Sequence, residues 1–280
     1  YTPALNRFPS AANGKGFAPL AEYVHSLGLK FGIHILQGIP RQAVARNMPI
    51  ENSAFHAIAA ANTSGLCGWN PDNFDVLEGP AAQAYYDSIV RLYSSWGVDL
   101  IKVDCITQPR YKSIELAMLH SALGKLDRPI ALSLSPGEPP IEYGEEYAAN
   151  AEQWRISNDV WDIWRGEKAY PQGVSDQFAR TAYWLRTQKP GHWPDADMLS
   201  LGSLTPAPGW GQPRECRLTH DEQQTMMTLW SIFRSPLIFG GNLTKLDDWT
   251  ASLLTNPEIR DVDQKSSQNH PGLIRPYRIG

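Results

Sequence analysis

Short apolar runs alternate along this chain with longer amphipathic stretches, and that alternation limits the fold more than any other feature. It is the pattern of parallel strands joined by crossover helices. Phe17, Leu20, Val24 and Leu27 keep the spacing of one helix face and are closed by Gly28, after which residues 29–36 read as a strand. Residues 37–79 are polar and contain prolines, far longer than the roughly 2–6 residues of an ordinary βα loop. A second helical stripe, Tyr85, Ile89, Leu92, Tyr93 and Trp96, ends at Gly97, and residues 98–103 form the next strand with Asp104 at its carboxyl end. A helix over 111–123, a strand over 129–134, a strand end in the 154–159 region, a helix over 176–187 and the 191–199 segment follow. Thr219 and Glu222 make a capping box for one more helix, and residues 236–242 read as the last strand. The six strands, near residues 30, 100, 131, 154, 192 and 237, gather polar residues at their carboxyl ends. A (β/α)8 barrel keeps its site at that face, so the expected fold class is α/β, an incomplete TIM barrel. Its two remaining strands are expected ahead of Tyr1, and without them the segment is expected to be insoluble or inactive.

Composition excludes several classes of function. The net charge of −4 is spread over both signs, with neither the basic stripe of a nucleic-acid binder nor a polybasic membrane anchor. No run of about 18 apolar residues is present to span a membrane. A leader peptide is absent or removed, because Tyr1-Thr2-Pro3 opens the chain without a charged and then apolar segment. Cys67, Cys105 and Cys216 lack metal-site spacing, and an odd count leaves room for one bridge at most. Glycine-rich phosphate loops are missing as well. Ten Trp and eleven Tyr suit the apolar faces of sugar rings, although most such side chains in any protein are core.

The chemistry centres on carboxylates. Cleaving an acetal needs one group at the anomeric carbon and another to protonate the leaving oxygen, which a pair of Asp or Glu residues supplies. Asp104 ends an otherwise apolar strand, with Lys102 on the same face two residues earlier, so a structural ion pair explains it as well as catalysis does. Asp159 follows Arg155 by four residues, which fits either a surface ion pair or a site in which the guanidinium steadies a carboxylate or binds sugar hydroxyls. Asp195 and Asp197 alternate about a Pro-containing strand end, where they make a turn or hold Arg155 or a substrate hydroxyl. His34, His56 and His192 raise a metal-dependent hydrolase as a rival, weakened by the lack of H-x-H or H-E-x-x-H spacing.

These blocks resemble glycoside hydrolase family 27, the α-galactosidases and α-N-acetylgalactosaminidases. Residues 28–33 resemble the family's third-strand segment, and residues 96–104 resemble its "WGVDLLKFD" block; 154–160, 195–199 and 234–242 match later blocks in order. The resemblance implies a retaining exo-acting glycosidase for terminal α-D-galactosyl residues, with Asp104 as nucleophile and Asp159 as acid and then base, about 5–5.5 Å apart. It places Lys102, Arg155, His34, Ser135, Asp197, Met198 and Cys67 around the sugar, His34 standing where the family often has a tyrosine. Cys67 resembles a loop cysteine that bridges to the Asp104 loop, here to Cys105, which follows Asp104 without the usual intervening residue. No cofactor or metal is implied. The partners implied are α-linked galactosides, with no nucleic acid and no membrane, and the location implied is secreted or periplasmic.

Other departures bear on specificity. The fifth strand ends in Leu134-Ser135-Pro136 rather than the family's Cys and Trp pattern; a small Ser135 leaves room for an acetamido group, yet residues 136–138 fit neither common pattern. α-N-Acetylgalactosaminidase, β-L-arabinopyranosidase and isomaltose-releasing activities therefore stay open on the same scaffold, as does a noncatalytic sugar-binding barrel. The resemblance also divides the chain into a barrel over 1–265 and the start of a C-terminal β-sandwich over 266–280, and leaves the family's first two strands and their paired-Asp motif without a counterpart.

Overall fold

A computed structural model describes residues 1–107, 110–135, 137–167, 170–205, 210–267 and 269–270. Pro136 and residues 271–280, on which part of the specificity reading and most of the C-terminal domain reading fall, lie outside the described residues. The chain divides into two compact units, Tyr1–Trp154 and Arg155–Gly280. Their β-α alternation is that of an incomplete (β/α)8 barrel.

In the first unit the order is α1 (Ala18–Ser26), β1 (Gly32–Leu36), β2 (Ile39–Pro40), α2 (Arg41–Ala45), α3 (Ala57–Ala60), β3 (Ala61–Leu66), β4 (Asn73–Val76), α4 (Pro80–Ser95), β5 (Leu100–Asp104), α5 (Ser113–Leu123), β6 (Ala131–Leu134), α6 (Gly144–Asn150) and β7 (Gln153–Arg155), whose last residue, Arg155, opens the second unit. Strands β1, β5, β6 and β7 are neighbours in that order and pair in parallel. Helix α4 shows why these segments fold as they do. Pro80 sits in its first turn, where its missing N–H costs nothing, and Ala82, Tyr85, Tyr86, Ile89, Val90 and Tyr93 form one buried stripe. Gly97 ends it at φ +78°, letting the Val98 amide reach back to the Tyr93 carbonyl at 3.1 Å. On β5, Ile101 and Val103 are buried while Lys102 and Asp104 point to the opposite, partly open face. At the start of the same strand, Asp99 accepts from the Phe31 amide (2.8 Å) and His25 (2.7 Å), which tie it to α1 and the α1–β1 connection, and from Arg128 (2.6 Å) in the α5–β6 connection.

Residues 37–79, read from sequence as one long loop, instead hold β2, β3 and β4, an antiparallel sheet in the order β2-β4-β3, and two short helices. Its buried apolar residues, among them Ile39, Val44, Ile50, Ala57, Ala60, Ala61, Cys67 and Val76, are spread over elements too short to sustain either period.

In the second unit α7 (Gln177–Trp184), β8 (Trp193–Asp195), β9 (Ser203–Leu204), β10 (Arg214–Glu215), α8 (His220–Phe233), α9 (Asp248–Thr255) and α10 (Pro257–Lys265) follow. The Ile156 amide donates to the Asp195 carbonyl at 2.9 Å, setting the residues after β7 beside β8. The capping box forms as expected: Thr219 Oγ1 accepts from the Glu222 amide at 3.3 Å and Glu222 Oε2 from the Thr219 amide at 2.8 Å. Asp162, buried, is held by Arg214 and Arg217, which also lie over the Trp210 ring. The strand expected over 236–242 is reduced to a single bridge between Leu199 and Phe239. Pro236 has no amide to give, and Gly241 lies so close to Leu201 that an added Cβ would meet its carbonyl at 2.2 Å.

Candidate active site

In the first unit the strand register brings polar side chains into a row. His34 lies opposite Lys102, Lys102 opposite Ser133 and Ser133 opposite Gln153, one residue from each of four neighbouring strands. Gln153 Nε2 donates to Ser133 Oγ at 2.9 Å. Helix-covered parallel strands are normally near-continuous apolar runs, so a polar row across four of them marks the face that a polar ligand meets. Ser135 continues this ladder, its amide on the Val103 carbonyl at 2.9 Å, and its side chain is buried.

Asp104 stands two residues beyond Lys102 on the same face. Its Oδ1 accepts from the Cys105 amide at 2.7 Å and its Oδ2 lies 3.2 Å from His34 Nε2, while its carbonyl receives the Gln37 amide at 2.9 Å. The ion pair with Lys102 expected from the i−2 spacing does not form; among the described residues the ion-pair partner of Asp104 is His34. The reason lies in the register, which sets an imidazole on the adjacent strand within reach of the carboxylate. Cys67 and Cys105 are joined, with Cα atoms 5.8 Å apart, so the bridge expected from the family resemblance is present. Cys216 is a free thiol whose burial pushes it up to about 11.

In the second unit Arg155 is the organiser. It is 3% exposed, so the surface ion pair weighed for it is ruled out. Its guanidinium lies 2.9 Å from Asp197 Oδ1 and 3.1 Å from Asp159 Oδ1, and donates to the Ser157 carbonyl at 2.9 Å. Burial works against its charge, but Asp197, Asp159 and Asp195 outweigh that and hold the guanidinium above its ordinary value. Asp197 sits at φ +80° and its Oδ2 accepts from the Val160 amide at 2.7 Å; its own amide donates to Asp195 Oδ1 at 2.8 Å. Trp230 Nε1 caps the Asp197 carbonyl at 2.6 Å. A left-handed conformation in an aspartate is uncommon and persists only where several contacts fix it, as here. Met198, next along, presses on Gly240, where an added Cβ would meet its sulfur at 2.8 Å.

Each unit thus groups its own share of the expected residues: His34, Lys102, Asp104, Ser135 and the bridged Cys67 in the first; Arg155, Asp159, Asp197 and Met198 in the second. Among the described residues no group of three or more His, Cys, Asp or Glu side chains is placed to hold a metal ion. No helix there is long and apolar enough to cross a membrane. The reading from sequence missed Ser133, Gln153 and the Cys105 amide. The first two carried a signal in the polar-apolar alternation of Leu132-Ser133-Leu134 and Gln153-Trp154-Arg155; the amide carried none. Tyr170, whose phenol is pushed above its ordinary value by desolvation and then by the Asp159 charge, was also missed.

The chain was compared with known proteins. The family model described as alpha galactosidase A matches residues 74–265. Alpha-galactosidase A of Cellvibrio japonicus is 27% identical over 92% of this chain and 52% of its own length. Rat alpha-N-acetylgalactosaminidase is 27% identical over 94% of the chain and 52% of its own length. The crystal structure of a family 27 β-L-arabinopyranosidase from Geobacillus stearothermophilus superposes with a TM-score of 0.87 at 48% identity, covering 94% of this chain and 60% of that one. The chain spans about half the length of the curated relatives it matches. Matched over more than half its residues by the family model, and nearly half identical to a solved family member, the chain belongs to the alpha galactosidase A family, glycoside hydrolase family 27.

Proposed function

We propose that this protein hydrolyses terminal glycosides with the galactose ring configuration, with net retention at the anomeric carbon, and takes β-L-arabinopyranosides ahead of α-D-galactosides. The two sugars share their ring hydroxyl configuration and differ by the hydroxymethyl group that arabinopyranose lacks. The observation that carries the chemistry is Asp104, a strand-end carboxylate on the polar face of β5 with Oδ1 on the Cys105 amide and Oδ2 3.2 Å from His34 Nε2. The preference for arabinopyranosides over α-D-galactosides rests on the 48% identity to the Geobacillus enzyme, against 27% to the α-galactosidase.

In this reading Asp104 attacks the anomeric carbon while Asp159 gives its proton to the departing oxygen, and the sugar becomes an ester of Asp104. Asp159, now ionised, takes a proton from water, whose oxygen attacks the same carbon and frees Asp104. Two inversions leave the configuration unchanged. Arg155, through Asp159 and Asp197, orients the acid side. Lys102, His34, Ser135, Asp197 and Met198 are assigned to the sugar pocket. No step calls for a cofactor. The Cys67–Cys105 bridge supports an oxidising compartment, secreted or periplasmic.

The test is kcat/KM on three aryl glycosides, β-L-arabinopyranoside, α-D-galactopyranoside and α-N-acetylgalactosaminide. The arabinopyranoside should be fastest. A faster galactoside would restore the α-galactosidase reading, and sugar binding without turnover of any of the three would favour a noncatalytic barrel.

A further inference from the structure

We propose that Cys105 is a positioning residue for the nucleophile: its disulfide to Cys67 holds the Cys105 backbone in the left-handed region and so keeps the Cys105 amide on Asp104 Oδ1. This rests on the reading of Asp104 as nucleophile. Cys105 has φ +65°, a conformation that sets the Cβ of an L-residue against its own backbone and that a lone cysteine has no reason to adopt. The constraint is visible in the bridge. Cys105 is fully buried, and its sulfur is bonded to Cys67, itself 4% exposed and directly following β3 in the antiparallel sheet. The Asp104 carbonyl is held by the Gln37 amide (2.9 Å) and the Ile106 amide by the Ser135 carbonyl (3.2 Å), so a change of φ at residue 105 has to be offset by ψ at residue 104, which rotates the peptide between them; in the observed conformation the N–H of that peptide lies on the Asp104 carboxylate at 2.7 Å.

That contact fixes what the strand alone leaves free. The β5 backbone sets where the Asp104 Cα lies, but rotation about the side-chain bonds would let the carboxylate swing. The Cys105 amide anchors Oδ1, and Oδ2 is left toward His34 Nε2 at 3.2 Å and toward the polar face of the sheet. The immediate Asp-Cys succession therefore acquires a function: with no residue between them, the constraint on the cysteine backbone is transmitted straight to the carboxylate.

Two double variants separate positioning from simple tethering. Cys67→Ala with Cys105→Gly and Cys67→Ala with Cys105→Ala both lack the bridge, but only glycine takes the left-handed conformation without steric cost. The readouts are kcat and KM for an aryl glycoside, and the rate at which a 2-deoxy-2-fluoro glycosyl fluoride labels Asp104. The glycine variant should exceed the alanine variant by about 5- to 30-fold in kcat and in labelling rate, with equal KM. Equal kcat and labelling rates in the two would overturn the proposal. Label found elsewhere than Asp104 in the wild-type protein would instead overturn the nucleophile reading beneath it.

Should neither variant fold, the wild-type protein is titrated with dithiothreitol. That dithiol passes two electrons and two protons to the Cys67–Cys105 bond, giving two thiols and its own cyclic disulfide. Activity should fall in step with two new thiols while the near-ultraviolet circular dichroism persists. Full activity with both thiols present would overturn the proposal.

Discussion

Glu115 offers the sharpest quantitative test of how this scaffold is held. It lies in α5, 4% exposed, and its carboxylate accepts from the Val76 amide at 3.1 Å and the Tyr86 hydroxyl at 2.7 Å, joining α5 to β4 and α4. Burial outweighs these two donors and the nearby Lys112, and pushes the carboxyl up from 4.5 to about 7. The folded state therefore holds the Glu115 proton more tightly than the unfolded chain does. Between pH 4.5 and 7 the native protein binds the extra proton, so stability falls as pH rises through that interval and levels off above it. The separation of the two values corresponds to about 3 kcal/mol. Glu115→Gln removes the titration while keeping an acceptor for Val76, and its amide donates to the Tyr86 hydroxyl as the protonated acid would. Urea unfolding of wild type and variant at pH 4.5 and pH 8 measures the effect. The variant should match wild type at the lower pH and be more stable by about 3 kcal/mol at the higher one. A difference independent of pH, or a loss of stability at pH 8, would refute the reasoning.

Arg155→Met strands Asp197 without its buried guanidinium and should cost about 3–5 kcal/mol at neutral pH; adding Asp197→Asn should recover part of that loss, and a double-mutant cycle by chemical denaturation measures the coupling. Asp99 is half-buried, and that desolvation opposes its charge, but the Phe31 amide, His25 and Arg128 prevail and lower it from 3.8 to about 2. Its contribution is complete above about pH 4 and disappears as pH falls through 2, so Asp99→Asn should flatten the pH dependence of thermal stability between pH 4 and 2 by about 2 kcal/mol. Asp159→Ala should slow substrates with poor leaving groups by about 100-fold or more while sparing activated aryl glycosides, and added azide should restore turnover as the glycosyl azide; equal losses on both kinds of substrate would remove Asp159 from the acid–base role.

Strands β1 and β5 were legible because each is a short run rich in apolar residues that follows a helix-ending glycine, Gly28 before β1 and Gly97 before β5, whereas β7, Gln153-Trp154-Arg155, carries neither signal and shows only as a strand end. The antiparallel β2-β4-β3 sheet was not, since its core is built from isolated residues such as Ile39 and Val76, which no periodicity reveals. The 236–242 segment looked like a strand by its Leu237-Ile238-Phe239 run, but Pro236 and the two crowded glycines cut its pairing to one bridge. Around the candidate site, Asp104 and Arg155 could be singled out by position and spacing. Their partners could not: whether Lys102 or His34 meets Asp104 depends on strand register, and Arg155 reaches Asp197 across 42 residues of sequence. The disulfide was reached through family resemblance, while the left-handed backbone it accompanies at Cys105 has no signature in sequence.

The claim on which the mechanism stands is that Asp104 carries the sugar during turnover. Inactivating the protein with 2-deoxy-2-fluoro-β-L-arabinopyranosyl fluoride, digesting it and mapping the labelled peptide by mass spectrometry tests this directly. The account predicts one added 2-deoxy-2-fluoropentosyl group, located on Asp104. A label on any other side chain, or turnover of the reagent with no covalent adduct at any time point, would contradict it.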